Sequence, residues 1–148
     1  MTTTKEGRMS YATLKMLGYS RGGIGRSENW SDERQVGIRM GRSRRPKPEF
    51  FHNGRRAVIY DSQRRTVPVY GEFRSDVYEL DEPEYGCHLA VRFQASGVVR
   101  DSNSAPQLQD VLPGFDVKQK SYRRLQRHEY EALVAAIERS PGFESIAG

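Results

Sequence analysis

Cysteine is all but missing from this chain: Cys87 stands alone among 148 residues, so no disulfide can staple the fold from within. That suits a reducing compartment. Long apolar runs are missing as well. Nothing approaches the roughly 18 consecutive apolar residues that a membrane-spanning helix needs, and the opening MTTTKEGRMS lacks the apolar stretch of a secretory signal. The expected location is the cytoplasm or a large intracellular or viral assembly, without membrane contact. Hydrophobic residues make up 36% of the chain, short of the roughly 45–50% usual in globular proteins, a count that also includes glycine. The core is therefore expected to be small.

Signatures of catalysis and of metal or cofactor binding are also lacking. His52, His88 and His128 are too scattered for the ligand spacings of a structural zinc site. YSRGGIG, residues 19–25, lacks the Lys-Ser/Thr ending of a phosphate-binding loop and has no strand before it, so it reads as a turn. Asp116-Val117-Lys118, with Asp101 or Asp110 upstream, fits half of a metal-dependent nuclease site, a pattern that arises often by chance. The acidic run Asp76, Glu79, Asp81, Glu82 and Glu84 has no calcium-loop spacing. No metal, cofactor or catalytic residue is expected.

What the chain does have is arginine, unevenly placed. Residues 1–56 hold 13 Lys/Arg against five Asp/Glu, while residues 57–148 hold 11 against 14. In the basic third, ten of the cations are arginine. A guanidinium offers a planar fork that pairs bidentately with phosphate or carboxylate, which a lysine ammonium cannot do. Such an asymmetry marks an arm that seeks a polyanion or an acidic protein face.

Local patterns divide the chain into an extended basic arm, residues 1–48, and a compact α+β domain, residues 49–148. In the arm, Ser10 caps a predicted short helix reaching Leu17, with Tyr11, Leu14 and Leu17 on one side and Gly18 ending it. Val36, Ile38 and Met40 alternate as in a short strand. Pro46 and Pro48 then interrupt regular structure.

Beyond the prolines, Asn53-Gly54 predicts a hairpin between Phe50-Phe51 and Ala57–Tyr60. Ser62–Arg65 connects to TVPVYGEF, where Pro68 implies an edge strand or a bulge. Asp76–Leu80 is a further short strand, and in CHLAVRFQ the residues Cys87, Leu89, Val91 and Phe93 form a buried face. Ser102–Gly114 reads as a loop. From Tyr122 to Arg139 the stripe Leu125, Ala132, Leu133, Ala136 and Ile137 predicts the main helix, stopped at Ser140-Pro141-Gly142. The expected fold is a small antiparallel sheet of short strands packed by one main C-terminal helix.

The expected function follows from the charge: a non-enzymatic binding or structural protein that engages nucleic acid or an acidic protein surface, with protein partners in a virus particle or ribonucleoprotein. A small inhibitor of a nucleic-acid-processing complex, using the acidic run, is one alternative, and the nuclease is another. The expected contacts are Arg26, Arg39, Arg42, Arg44, Arg45, Lys47, Arg55 and Arg56, with Tyr19, Trp30, Phe50 or Phe51 available for stacking on bases. Arg123, Arg124 and Arg127 join them at the expected helix start, where free N–H groups would favour an anion.

Overall fold

A computed structural model describes residues 11–17, 30–38, 45–84, 87–117 and 122–146. Eight strands run in the order β1 (Ala12–Leu17), β2 (Arg34–Ile38), β3 (Arg56–Asp61), β4 (Thr66–Phe73), β5 (Tyr78–Glu84), β6 (Cys87–Val99), β7 (Tyr122–Leu125) and β8 (Phe143–Ser145). Two helices accompany them, the single turn α1 (Leu108–Val111) and the twelve-residue α2 (Arg127–Glu138). No helix among the described residues is long and apolar enough to cross a membrane.

The sheet order is β2-β6-β4-β3-β1-β7, with β5 and β8 also on β6. It is a mixed sheet, since β1 runs parallel to β3 and antiparallel to β7. The expected small antiparallel sheet packed by a helix is thus corrected to a predominantly β fold, an eight-stranded curled sheet with one substantial helix. The physical reason is burial on both faces. Val58 and Tyr60 of β3 and Val67 of β4 join Ala12, Leu14 and Met16 of β1 beneath Leu133 and Ile137 of α2. The opposite face carries Ala57, Ile59, Val69 and Phe73, in one cluster with Val36 and Ile38 of the distant strand β2, so the sheet curls over its own inner face. Trp30, Phe50 and Phe51 close that interior.

The thirteen-residue β6 organises the curl. Its first half lies between β2 and β5, its second half between β4 and β8, so it belongs to both ends of the sheet. The expected alternation holds at Cys87, Leu89, Val91 and Phe93, all buried. At Gly97 a side chain would run into the rings of Tyr70 and Phe143, with contacts of 2.6 and 2.5 Å. Those rings stack 6.5 Å apart and only 4° from parallel, joining β4 to β8 across the glycine.

Ala12–Leu17 is a strand rather than the expected helix. Six residues cannot sustain a helix alone, whereas as a strand they gain ladders on both sides, from β3 and β7. Two polar residues turn inward with it. Thr13 Oγ1 donates to Phe50 O at 2.8 Å, and the fully buried Lys15 donates from Nζ to Met16 O at 2.8 Å. The expected boundary at residue 48 moves accordingly, because β1, Trp30 and β2 all belong to the folded body.

Other expectations shift locally. Gly54 adopts φ +91° as a tight turn requires, but Pro48–Phe50 forms a 3₁₀ turn, so Asn53-Gly54 does not join two paired strands. Pro68 lies where the β3–β4 register shifts, a bulge within the sheet. The expected loop from Ser102 contains a 3₁₀ turn, Ser102–Ser104, and α1. The main helix begins at Arg127, and Tyr122–Leu125 is strand because it zips onto β1.

Candidate polyanion interface

Two arginine groups far apart in sequence meet at one end of the sheet. The register aligns Arg56 of β3, Ala12 of β1 and Leu125 of β7 in one row, which brings residues 55–56 beside residues 123–127. Tyr11, immediately before β1, donates its backbone N–H to Leu125 O at 3.0 Å and so stands in that row.

On the Tyr11 ring the Arg56 guanidinium sits 4.2 Å from the centroid and that of Arg127 sits 5.8 Å away. Two like charges on one ring stand within about a Debye length, about 10 Å at moderate salt, and carboxylates stand by both: Glu131 meets Arg127 at 3.1 Å, and Glu72 lies opposite Arg56 in the β3–β4 register. Tyr130 backs the ring at 5.7 Å, and burial pushes its hydroxyl up to about 12. The ring is therefore held as a platform on which cations pack by cation–π attraction.

A second pair gathers on Phe50, with Arg124 5.1 Å and Arg55 5.8 Å from its centroid. Arg55 is buried and donates to Thr13 Oγ1 at 3.1 Å and to Ala12 O at 2.9 Å; burial lowers it to about 10. It is a fixed positive charge set behind the rim. Glu49 faces Arg124 at 3.8 Å, a long contact between partly exposed groups.

Most other described arginines are already matched to carboxylates. Arg92 meets Glu33 at 3.2 Å, Arg100 meets Glu144 at 2.7 Å, Arg64 meets Asp61 at 3.0 Å and Arg74 meets Glu72 at 3.7 Å. At the rim, Arg127 pairs along its helix with Glu131 at 3.1 Å, but Arg56 and Arg123 make no ion pair among the described residues. Nε of Arg123 and of Arg124 is buried without a hydrogen-bond partner. At the rim, then, Arg124 and Arg127 have carboxylate partners while Arg56 and Arg123 have no ion pair among the described residues.

The expected contact residues divide into three groups. Arg26, Arg39, Arg42 and Arg44 lie outside the described residues, as does Tyr19. Arg45 and Lys47 are exposed, with Arg45 ion-paired to Glu79 of β5. Arg55, Arg56, Arg124 and Arg127 converge on Tyr11 and Phe50, and Arg123 lies on the same short strand.

Two roles need correction. Trp30 is only 3% exposed and meets Phe93 edge-on at 6.1 Å, and Phe50 and Phe51 are buried, so none of the three is open to stacking on a base. The start of α2 is not an open anion site either. Gln126 and Glu129 form a capping box, in which Glu129 Oε1 accepts from Gln126 N at 2.8 Å. Charge patterning does not single out Tyr11 or Tyr130 as site residues; the signal that could find Tyr11 is the strand that follows it directly, β1.

Among the described residues no group of three or more His, Cys, Asp or Glu is placed to hold a metal ion. Asp101 instead caps its own 3₁₀ turn, accepting from Asn103 N at 3.1 Å and Ser104 Oγ at 3.3 Å; Lys118 lies outside the described residues.

The charge divides along the same lines. Nine of the 24 Lys/Arg but only two of the 19 Asp/Glu fall outside the described residues, which leaves 15 cations and 17 acids in the described body, a balance of −2 against +7 elsewhere. No protein-family model, curated protein or solved structure matches the chain.

Proposed function

We propose that the chain is a non-enzymatic nucleic-acid-binding subunit of a larger assembly, which grips phosphates with the arginine rim of its sheet and with the arginine-rich stretches of its N-terminal third. The observation that carries this reading is the pair Arg56 and Arg127 on the single ring of Tyr11, 71 positions apart in sequence yet converging on one rigid platform. Two arginines packed on one ring stand close together, and a phosphate can bridge both by competing with the Glu131 carboxylate that Arg127 holds. The arginine-rich stretches around β2, Arg26, Arg39, Arg42, Arg44 and Arg45 among them, add electrostatic reach.

A second reading, an acidic protein face as the partner, draws support from the Arg45–Glu79 ion pair, in which one residue of the basic stretch already takes a carboxylate. One titration separates the two. Binding to nucleic acid should weaken linearly in log affinity against log salt. Arg56→Ala with Arg127→Ala should flatten that slope by about 0.9 for each phosphate left unneutralised on duplex DNA, or about 0.7 on a single strand. An unchanged slope and affinity in the double variant defeats the rim; weak nucleic-acid binding by the parent protein leaves the acidic protein face.

A further inference from the structure

Between the 3₁₀ turn Pro48–Phe50 and the segment leading into β5 lies a cleft of about 630 Å³, lined by Arg45, Pro46, Pro48, Glu49, Phe51, His52, Asp76 and Val77. Its walls are apolar and stiff. Pro46 and Pro48 have locked φ angles. Phe51 is 1% exposed, 5.2 Å from the Phe73 ring and 4.8 Å from that of Tyr122, so the floor is the middle of a packed aromatic row. A cavity of this size with mostly apolar walls and a few polar groups is the usual form of a small-ring site.

The polar groups decide which ring. Arg45 is engaged by Glu79. Asp76 Oδ1 accepts from Asn53 N at 3.3 Å, while Oδ2 has no protein donor among the described residues. Glu49 is drawn only loosely, at 3.8 Å, to Arg124. Two carboxylates with acceptor capacity to spare disfavour a phosphate inside the cleft and favour a flat group that donates hydrogen bonds.

We infer that the cleft is a nucleobase pocket, which takes an unpaired base bearing an exocyclic amine between Pro46, Pro48 and Val77, above the buried Phe51, and reads that amine with Asp76 and Glu49. This inference rests on the nucleic-acid reading above and deepens it. Acidic side chains accept from the cytosine amino group, whereas the carbonyl that thymine and uracil carry at that position is repelled by a carboxylate. Lys47, exposed between the two prolines, and Arg124, beside Glu49, flank the cleft where a strand's phosphates would run.

The experiment uses the full chain and single-stranded homopolymers of equal length, cytosine against thymine, with the ring protons of His52 and the amide of Asn53 followed by NMR. The cytosine strand should bind about tenfold tighter, the discrimination of one good base contact, and should shift both signals. Asp76→Asn should shrink the preference to within about twofold and leave the salt slope as it was, because Asp76 meets neither a phosphate nor an arginine of the rim; Glu49→Gln, as an independent variant, should shrink the preference likewise. Equal, salt-dependent binding of both strands by the parent protein overturns the pocket and leaves the polyanion reading standing. Failure to bind either strand overturns the pocket, and failure to bind duplex DNA as well overturns both readings. An arginine-rich peptide that shifts His52 and Asn53 where the cytosine strand does not assigns the cleft to a protein partner and likewise overturns the inference.

Discussion

Ser102 donates its hydroxyl to the buried carboxylate of Asp61 at 2.8 Å, tying the end of β3 to the 3₁₀ turn that follows β6. The same carboxylate accepts from Gln63 N at 3.0 Å, Arg64 N at 3.2 Å and Arg64 Nη1 at 3.0 Å. It therefore shapes the turn in which Arg65 takes φ 63°. Replacing Asp61 with alanine strips four donors of their acceptor, so chemical denaturation should show a loss of about 3–5 kcal/mol, the range for breaking a buried charged pair. Ser102→Ala removes one donor and should cost about 1–3 kcal/mol. A loss below about half a kcal/mol for Asp61→Ala, the range of ordinary surface changes, contradicts this network.

Gly97 and Gly71 fail for different reasons when a methyl group is added. A Cβ at Gly71 would run into the backbone oxygen of Gln94, which cannot move without parting β4 from β6. A Cβ at Gly97 meets only ring atoms of Tyr70 and Phe143, which can swing aside at the expense of their stacking. Gly71→Ala should therefore be the more destabilising in thermal melts. Gly97→Ala should instead speed amide exchange in Phe143–Ser145 while the rest of the sheet stays protected.

Removal of residues 1–48 tests the corrected boundary. The truncation takes away β1, whose two ladders join β3 to β7, and with it β2 and Trp30. The remainder should show no cooperative unfolding transition and should expose apolar surface to a reporter dye. A sharp melt of residues 49–148 alone would restore the reading of the N-terminal third as a mere appendage.

Tyrosine ionisation should separate the eight phenols. Burial raises Tyr130 to about 12. Burial first, then the hydrogen bond that its hydroxyl donates to Glu138 Oε2 at 2.5 Å, raises Tyr70 further. Both stay protonated in the folded chain when the unfolded chain has begun to lose those protons, so the stability they confer is complete below about pH 10 and falls as pH climbs beyond it. Phenolate absorbance should rise in two stages, the late one coinciding with alkaline unfolding. Glu138→Gln should bring Tyr70 down toward the ordinary phenol range; an unshifted late stage in that variant argues against the bond.

The legible parts of the fold are those whose patterning answers to one local cause. The β6 alternation follows from one side chain per face, the positive φ at Gly54 from turn chemistry, and the stripe of Leu133 and Ile137 from helical period. β1 reads as a helix because Thr13 and Lys15 are polar yet buried, and inward polar groups erase the contrast on which periodicity depends. Tyr122–Leu125 reads as part of the helix because its neighbour on β1 lies over a hundred positions away. The arginines of the rim are legible singly, Arg55 and Arg56 as arm, Arg123–Arg127 as helix start. Their meeting on Tyr11 and Phe50 depends on a parallel pairing that no local pattern records.

Strand β1 also dictates a schedule. Its parallel neighbour β3 begins at Arg56 and its antiparallel neighbour β7 ends at Leu125, so a nascent chain exposes β1 long before both partners exist. At about 5–20 residues per second the wait on the ribosome is on the order of ten seconds, during which Ala12, Leu14 and Met16 offer an adhesive segment to neighbouring chains. The charge of Lys15 in the middle of that segment discourages such encounters. A residue costly to enclose in the finished sheet thus serves as a guard for the strand during its synthesis.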